Sequence, residues 1–226
     1  MVKSKLDRKE DLEILNWITP IDYGPEQSDL IGRRYPGTGQ WLINSPKFKD
    51  WVETDQQTLL CPGIPGAGKT IFTAIIIEHL TRKFHTDAST GIAYIYCNFR
   101  RKHEQKLNDL MASLLKQLSE AKFSMPNAVK ELYEQHKIKH TRPSTDELSK
   151  ALQAVAASYT RVFVIVDALD ECQISDGCQT RFIGECFALQ ARCGTNLFMT
   201  SRFLPEIMEK FDKASKFEIR ASPEDV

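Results

Sequence analysis

Eight residues, Gly63-Ile64-Pro65-Gly66-Ala67-Gly68-Lys69-Thr70, constrain the fold more than any other part of this 226-residue chain. They match G-x-x-x-x-G-K-[ST], a pattern with a mechanism behind it. A strand-like run at 57–61 precedes them, and a helix-like run from Lys69 to Lys83 follows. The glycines let backbone N–H groups turn inward around phosphate oxygens, and the helix start adds partial positive charge. Lys69 reaches the outer phosphates as a point charge, and Thr70 offers its hydroxyl to Mg²⁺. Strand and helix so joined require a sheet behind the one and a covering layer of the other.

The rest of the chain supplies those layers. Apolar residues from Ile71 to Leu80 nearly surround the helix after the cradle, so it is expected to be sandwiched. Strands are expected at 92–97, 161–166, 196–200 and 216–219. Helices are expected at 105–120, 127–139, 146–158, 180–192 and 205–212, the third opened by a capping box of Ser144 and Glu147. The alternation predicts an α/β fold of three layers, a parallel sheet of about five strands with helices on both faces. Before the core, Asp7 and Glu10 read as a capping box for a helix carrying Leu12, Leu15 and Ile18, which is expected to support the adenine side. A Pro/Gly-rich loop is expected over 20–39, and Ser45-Pro46 opens a short helix to about 53. Ala221-Ser222-Pro223-Glu224-Asp225 has the cap, first-turn proline and acids of a new helix. The organisation expected is a helical and linker segment at 1–56, a core at 57–220, and the start of a further helical module at 221–226.

Val162-Phe163-Val164-Ile165-Val166 is five apolar residues in a row, as in a strand covered on both faces. Asp167 ends it, so its carboxylate is expected at the carboxyl edge of the sheet, where ligands of open α/β sheets sit. Asp167 is the expected Mg²⁺-side acid, acting through water, with Thr70. Asp170 and Glu171 follow within one turn. Either can orient the attacking water, Glu171 by preference, or cap the next loop. Three acids in five residues repel unless a cation sits among them. Thr200-Ser201-Arg202 ends the next strand, where Arg202 either senses a terminal phosphate or pairs with an acid. The strand at 92–97 lies between the two motifs, which allows an extra strand to separate the motif strands. Neither N-K-x-D nor an L-S-G-G-Q-like segment is present.

Lys plus Arg number 30, as do Asp plus Glu, so the formal net charge is zero. That balance argues against a partner bound along a nucleic-acid backbone. No apolar run approaches ~20 residues, so no membrane-spanning helix is expected. The start has neither the apolar core of a secretory signal nor an acid-poor amphipathic leader, which points to the cytoplasm. The six cysteines form no C-x-x-C pair and read as free, mostly buried thiols, with a zinc site among the last four the weaker reading. His136 to Arg142 reads as a solvated basic helix end, and Arg100 to His103 as a polar loop. Trp17 and Trp41 are expected to pack the N-terminal segment onto the core.

Taken together, Gly63 to Thr70, the run VFVIVDALDE at 162–171 and Thr200-Ser201-Arg202 resemble the NACHT-type signal-transducing P-loop NTPases, in their fungal NLR-like branch. Leu30-Ile31-Gly32-Arg33-Arg34 is similar to the short motif before the core in that family, and Gly37-Thr38-Gly39-Gln40-Trp41-Leu42 to the stretch after it. The resemblance implies an ATP/ADP switch with slow Mg²⁺-dependent hydrolysis, coupled to self-association in a longer protein. It places Ile31, Gly32 and Arg33 near the adenine, Gly63 to Thr70 and Ile71 around the phosphates, and Lys69, Asp170, Glu171 and Arg202 at the reaction. A nucleotide-binding scaffold without significant turnover, or another ATPase of the wider AAA+ group, remain the alternatives.

Overall fold

The computed structural model describes residues 5–172 and 177–220, with side chains described except at 5–8, 102 and 103. Its sheet has five strands: β1 (Thr58–Pro62), β2 (Thr90–Tyr96), β3 (Arg161–Asp167), β4 (Asn196–Ser201) and β5 (Ser215–Lys216). They lie in the order β2-β3-β4-β1-β5, and every pairing is parallel. β3 is buried beyond its first residue and β4 throughout, which is why both read as unbroken apolar runs. The motif strands β1 and β3 are separated as expected, but by β4. The strand that falls between the motifs in the chain, β2, is an edge.

The connections place the helices. Passing from β1 to β2 crosses the sheet in one direction, and passing from β2 to β3 to β4 returns in the other. Right-handed crossovers therefore put α5 (Lys69–Lys83) on one face and α6 (Leu107–Glu120), α8 (Thr145–Ala156) and α9 (Cys178–Cys193) on the opposite one. On α5, Phe72 to Ile77 and Leu80 are buried, because the helix lies between the sheet and α2 (Gly24–Gly32). α4 (Pro46–Glu53) begins at Ser45, whose hydroxyl accepts from the Phe48 N–H at 3.2 Å. It is pinned by Trp51, whose Nε1 donates to the Leu197 carbonyl at 2.9 Å. Asn196 reciprocates, its amide donating to the carbonyls of Trp51 and Thr54 at 2.7 and 2.8 Å.

Three expectations need correction, and one element was not anticipated. The stretch 20–39 holds α2, for two physical reasons: Asp22 accepts from the Gly24 N–H at 2.8 Å, and Pro25 falls in the first turn, where no N–H is needed. Gln40–Ile43 forms a further short helix, α3. The first helix, α1 (Lys5–Ile18), packs against α6 and α7 (Asn127–Lys137) and not on the cradle side of the sheet. The final strand is two residues at 215–216; Phe217 and Ile219 still donate to Leu60 and Pro62 at 2.9 and 2.8 Å, beyond the regular ladder. The expected helix start at 221–225 and the side chain of Asp7 lie outside the described parts.

Elsewhere, ends shift by one or two residues. Trp17 packs edge-on against Tyr133 at 5.1 Å, and Trp41 against Phe72 and Phe217 at 5.2 and 5.4 Å. The basic stretch after α7 is exposed from Lys137 to Arg142, as expected, and Arg142 also donates to the carbonyls of Trp17 and Ile18, covering the end of α1. Within 100–103, Arg101 is likewise held, by Glu26, in a 3-10 segment over Phe99–Glu104 followed later by α10 (Pro205–Lys210). Five cysteines are buried free thiols and Cys193 is half-buried. Among the described residues no helix is long and apolar enough to cross a membrane.

The exposed side of edge strand β2 is closed by one side chain. Gln117 of α6 accepts from the Tyr94 N–H at 3.0 Å and donates to its carbonyl at 2.8 Å. The amide stands where a neighbouring strand would pair.

Candidate functional site

The turn after β1 supplies the first wall of a cavity at the carboxyl edge of the sheet. Gly66 and Gly68 adopt φ of +80° and +83°, a region that favours glycine. Gly63 answers to a different constraint: a Cβ there would stand 2.6 Å from the Ile219 carbonyl oxygen. The turn is closed internally by Lys69, whose Nζ donates to the carbonyls of Gly63 and Ile64, each at 2.9 Å. Burial pulls the Lys69 ammonium below its ordinary value, and the nearby Asp170 and Asp167 carboxylates oppose that shift.

β3 delivers the second wall. Asp167 is 2% exposed and accepts three hydroxyl hydrogen bonds. Thr70 donates to Oδ2 at 2.7 Å, and Thr200 to Oδ1 at 2.7 Å. Thr73 lies 2.8 Å from Oδ1 and 3.0 Å from the Lys69 carbonyl. Burial raises the Asp167 carboxyl above the ordinary carboxylate range; the three hydroxyls and Lys69 pull it back. The next residue, Ala168, takes a left-handed φ of +49°. Its N–H donates to the Thr200 hydroxyl at 2.8 Å, which holds a conformation costly for a residue with a Cβ.

The short 3-10 turn Leu169–Glu171 then separates the two remaining acids. Asp170 is turned to β4: Arg202 donates to it through its backbone N–H at 2.9 Å and through Nε at 2.5 Å. The Asp170 side chain is 3% exposed and that of Arg202 49%. The carboxylate raises the guanidinium further above its ordinary value. Glu171 instead accepts from the Phe99 N–H at 3.2 Å and faces the cavity.

Pro65, Gly66, Gly68, Lys69, Thr70 and Ile71 on one side, and Ala168, Asp170, Glu171 and Arg202 on the other, enclose about 360 Å³. The structure thus brings together the candidate phosphate, metal and reaction residues from three separate segments. It does not bring Ile31, Gly32 and Arg33 there. They lie at the end of α2, where Arg33 pairs with Asp29 and Arg34 with Glu78, more than two turns along α5 from Lys69. A larger cavity of about 610 Å³ lies at the opposite end of the sheet; its Glu209, Asp212 and Lys213 are exposed.

Sequence reasoning missed Thr73, although a threonine three residues after Thr70 inside an apolar helix run was a usable signal. It also left the Thr200 hydroxyl without a role. The contact of Ile219 with Gly63 had no sequence signal.

The donor set fits a Mg²⁺-nucleotide. Asp167 is a buried carboxylate whose direct partners are neutral hydroxyls, and buried charges ordinarily require a counter-ion or a metal. Thr70 and Asp167 are the residues that would hold a cation, which would supply the missing charge. The inward-turned glycines and the start of α5 offer the phosphate-binding edge.

Fold and site together define a P-loop nucleotide-binding domain of the NACHT type. A family model described as "Nephrocystin 3, N-terminal" matches residues 37–202, and the chain belongs to that family. No curated protein matches the sequence. The fold is similar to that of the Aeropyrum pernix ORC1 protein solved in complex with DNA, at a TM-score of 0.52 and 13% identity, covering 93% of this chain and 48% of that one. Also similar are a Walker-type ATPase of Pyrococcus abyssi (TM-score 0.47, 14% identity, 82% of this chain and 55% of that one) and C. elegans PCH-2 (TM-score 0.40, 15% identity, 98% and 45%). The chain spans about half the length of the ORC1 protein.

Proposed function

We propose that this domain binds ATP and ADP with Mg²⁺ and hydrolyses ATP slowly, as the switch of a NACHT/NLR-like signalling protein that self-associates in its longer form. One observation carries the reading: Thr70 and Asp167, 97 residues apart in the chain, meet at 2.7 Å beside the cradle. Backbone N–H groups of 63–71 and Lys69 hold the phosphates. Thr70 and Asp167 hold Mg²⁺, which when bound neutralises charge on the outer phosphates. Glu171 orients the attacking water, and Arg202 meets the terminal phosphate. The base lies on the side of Ile31, Gly32 and Arg33, an assignment that rests on the resemblance, as does the fungal branch. The core spans 57–220, with 1–56 as an adjoining layer and 221–226 leading to a further module. Zero net charge supports a nucleotide over DNA or RNA as the ligand, and buried free thiols suit the cytoplasm.

The test is phosphate release with and without Mg²⁺. The reading requires metal-dependent release that Lys69→Ala abolishes and Glu171→Gln reduces. Equal, slow release by the wild type and Glu171→Gln would leave a nucleotide-binding scaffold. Stimulation by DNA or RNA at low salt would favour an AAA+ ATPase acting on nucleic acid.

A further inference from the structure

Of the two acids that follow Asp167, one is committed elsewhere. Asp170 is buried, and both its oxygens are occupied by Arg202, one through the backbone N–H at 2.9 Å and one through Nε at 2.5 Å. A carboxylate so engaged is turned toward the arginine, with one donor on each oxygen. The same contact fixes the arginine. It is gripped at the main chain and at the inner guanidinium nitrogen, while its side chain is half exposed and lines the cavity. Nε is the one guanidinium nitrogen with a partner among the described residues. The terminal pair stays available for an anion, and a planar guanidinium offers that pair in a fixed fork.

We propose that Asp170 is a positioning residue, not a catalytic one: it holds Arg202 at the cavity so that the domain distinguishes a nucleoside triphosphate from a diphosphate. A free arginine gives up rotamer entropy each time it meets a phosphate; one held at two points has lost it already. The benefit falls on the ligand whose terminal phosphate reaches Arg202. The diphosphate, seated on the cradle and Lys69, gains nothing from it. This inference rests on the nucleotide-binding reading above.

The experiment is calorimetric titration with Mg²⁺ and either a non-hydrolysable ATP analogue or ADP, for wild type, Asp170→Ala, Asp170→Asn, Arg202→Ala and the double variant Asp170→Ala/Arg202→Ala. Both Asp170 variants should weaken the triphosphate about tenfold and leave ADP within about twofold, a retained affinity that also reports an intact fold. Asp170→Asn keeps an acceptor for the backbone N–H but loses the charged contact with Nε, so it should fall on the same side. The double variant should be no weaker toward the triphosphate than Arg202→Ala alone. Additive losses would overturn the proposal, as would tighter triphosphate binding by Asp170→Asn, or unchanged triphosphate affinity with only turnover lost. Absence of binding of either nucleotide by the wild type would instead overturn the underlying nucleotide reading.

Discussion

The Thr70 hydroxyl donates to the Asp167 carboxylate across 2.7 Å, which joins the first turn of α5 to the end of β3. Two motifs of one chain thereby meet at one point, the position proposed above for the metal. With the metal bound, Thr70 is expected to offer its oxygen to the cation. Thr70→Ala should therefore weaken Mg²⁺-nucleotide by more than metal-free nucleotide. Calorimetry with and without the metal checks this; equal losses would remove Thr70 from the metal site.

Thr200 is expected to matter for stability. Its hydroxyl donates to Asp167 and accepts from the Ala168 N–H. Thr200→Val keeps the shape and leaves both groups short of a partner, at a cost of about 1–3 kcal/mol. Urea unfolding should show a lower midpoint at an unchanged slope. An unmoved midpoint would mean that the left-handed Ala168 is held by its surroundings alone.

Gln117→Leu should act at the sheet's edge. It strips both partners from Tyr94 and should cost about 1–3 kcal/mol. It also opens a strand edge to other chains, so light scattering should show association rising with concentration. A variant as stable and as monodisperse as the wild type would show that Gln117 is dispensable there.

Glu147 gives a pH signature. The Ser144 backbone N–H and hydroxyl hold its carboxyl below the ordinary value of 4.5, with hydrogen bonds of 2.8 and 2.7 Å. A depressed folded-state value contributes stability above the unfolded value, and that contribution fades as pH falls through the folded one. Wild type should therefore exceed Glu147→Gln in stability near neutral pH, and the two should converge as the solution is acidified below about pH 4. Parallel thermal-melting profiles against pH would contradict it.

Legibility in the sequence followed how local each cause is. The cradle, the capping box at Ser144, the buried run before Asp167 and the alternation of layers depend on neighbours within a few positions, and they could be read directly. The fates of Asp170 and Arg202 were left open because only the register of β3 against β4 decides which acid meets the arginine. The helix at 24–32 was hidden because proline and glycine signal a break or a first turn depending on what the residues pack against. That β4 divides the motif strands follows from long-range pairing, on which spacing within the chain is silent.

The six residues of β4 span about 20 Å. At one end Asn196 ties down α4; at the other Thr200 donates to Asp167, and Arg202, just past the strand, faces the cavity. A rod clamped between those anchors cannot slide at one end alone. Any shift of the Arg202 backbone would have to bend the link at Ser201 or drag α4 with it, so the two ends of the sheet are mechanically joined through one strand.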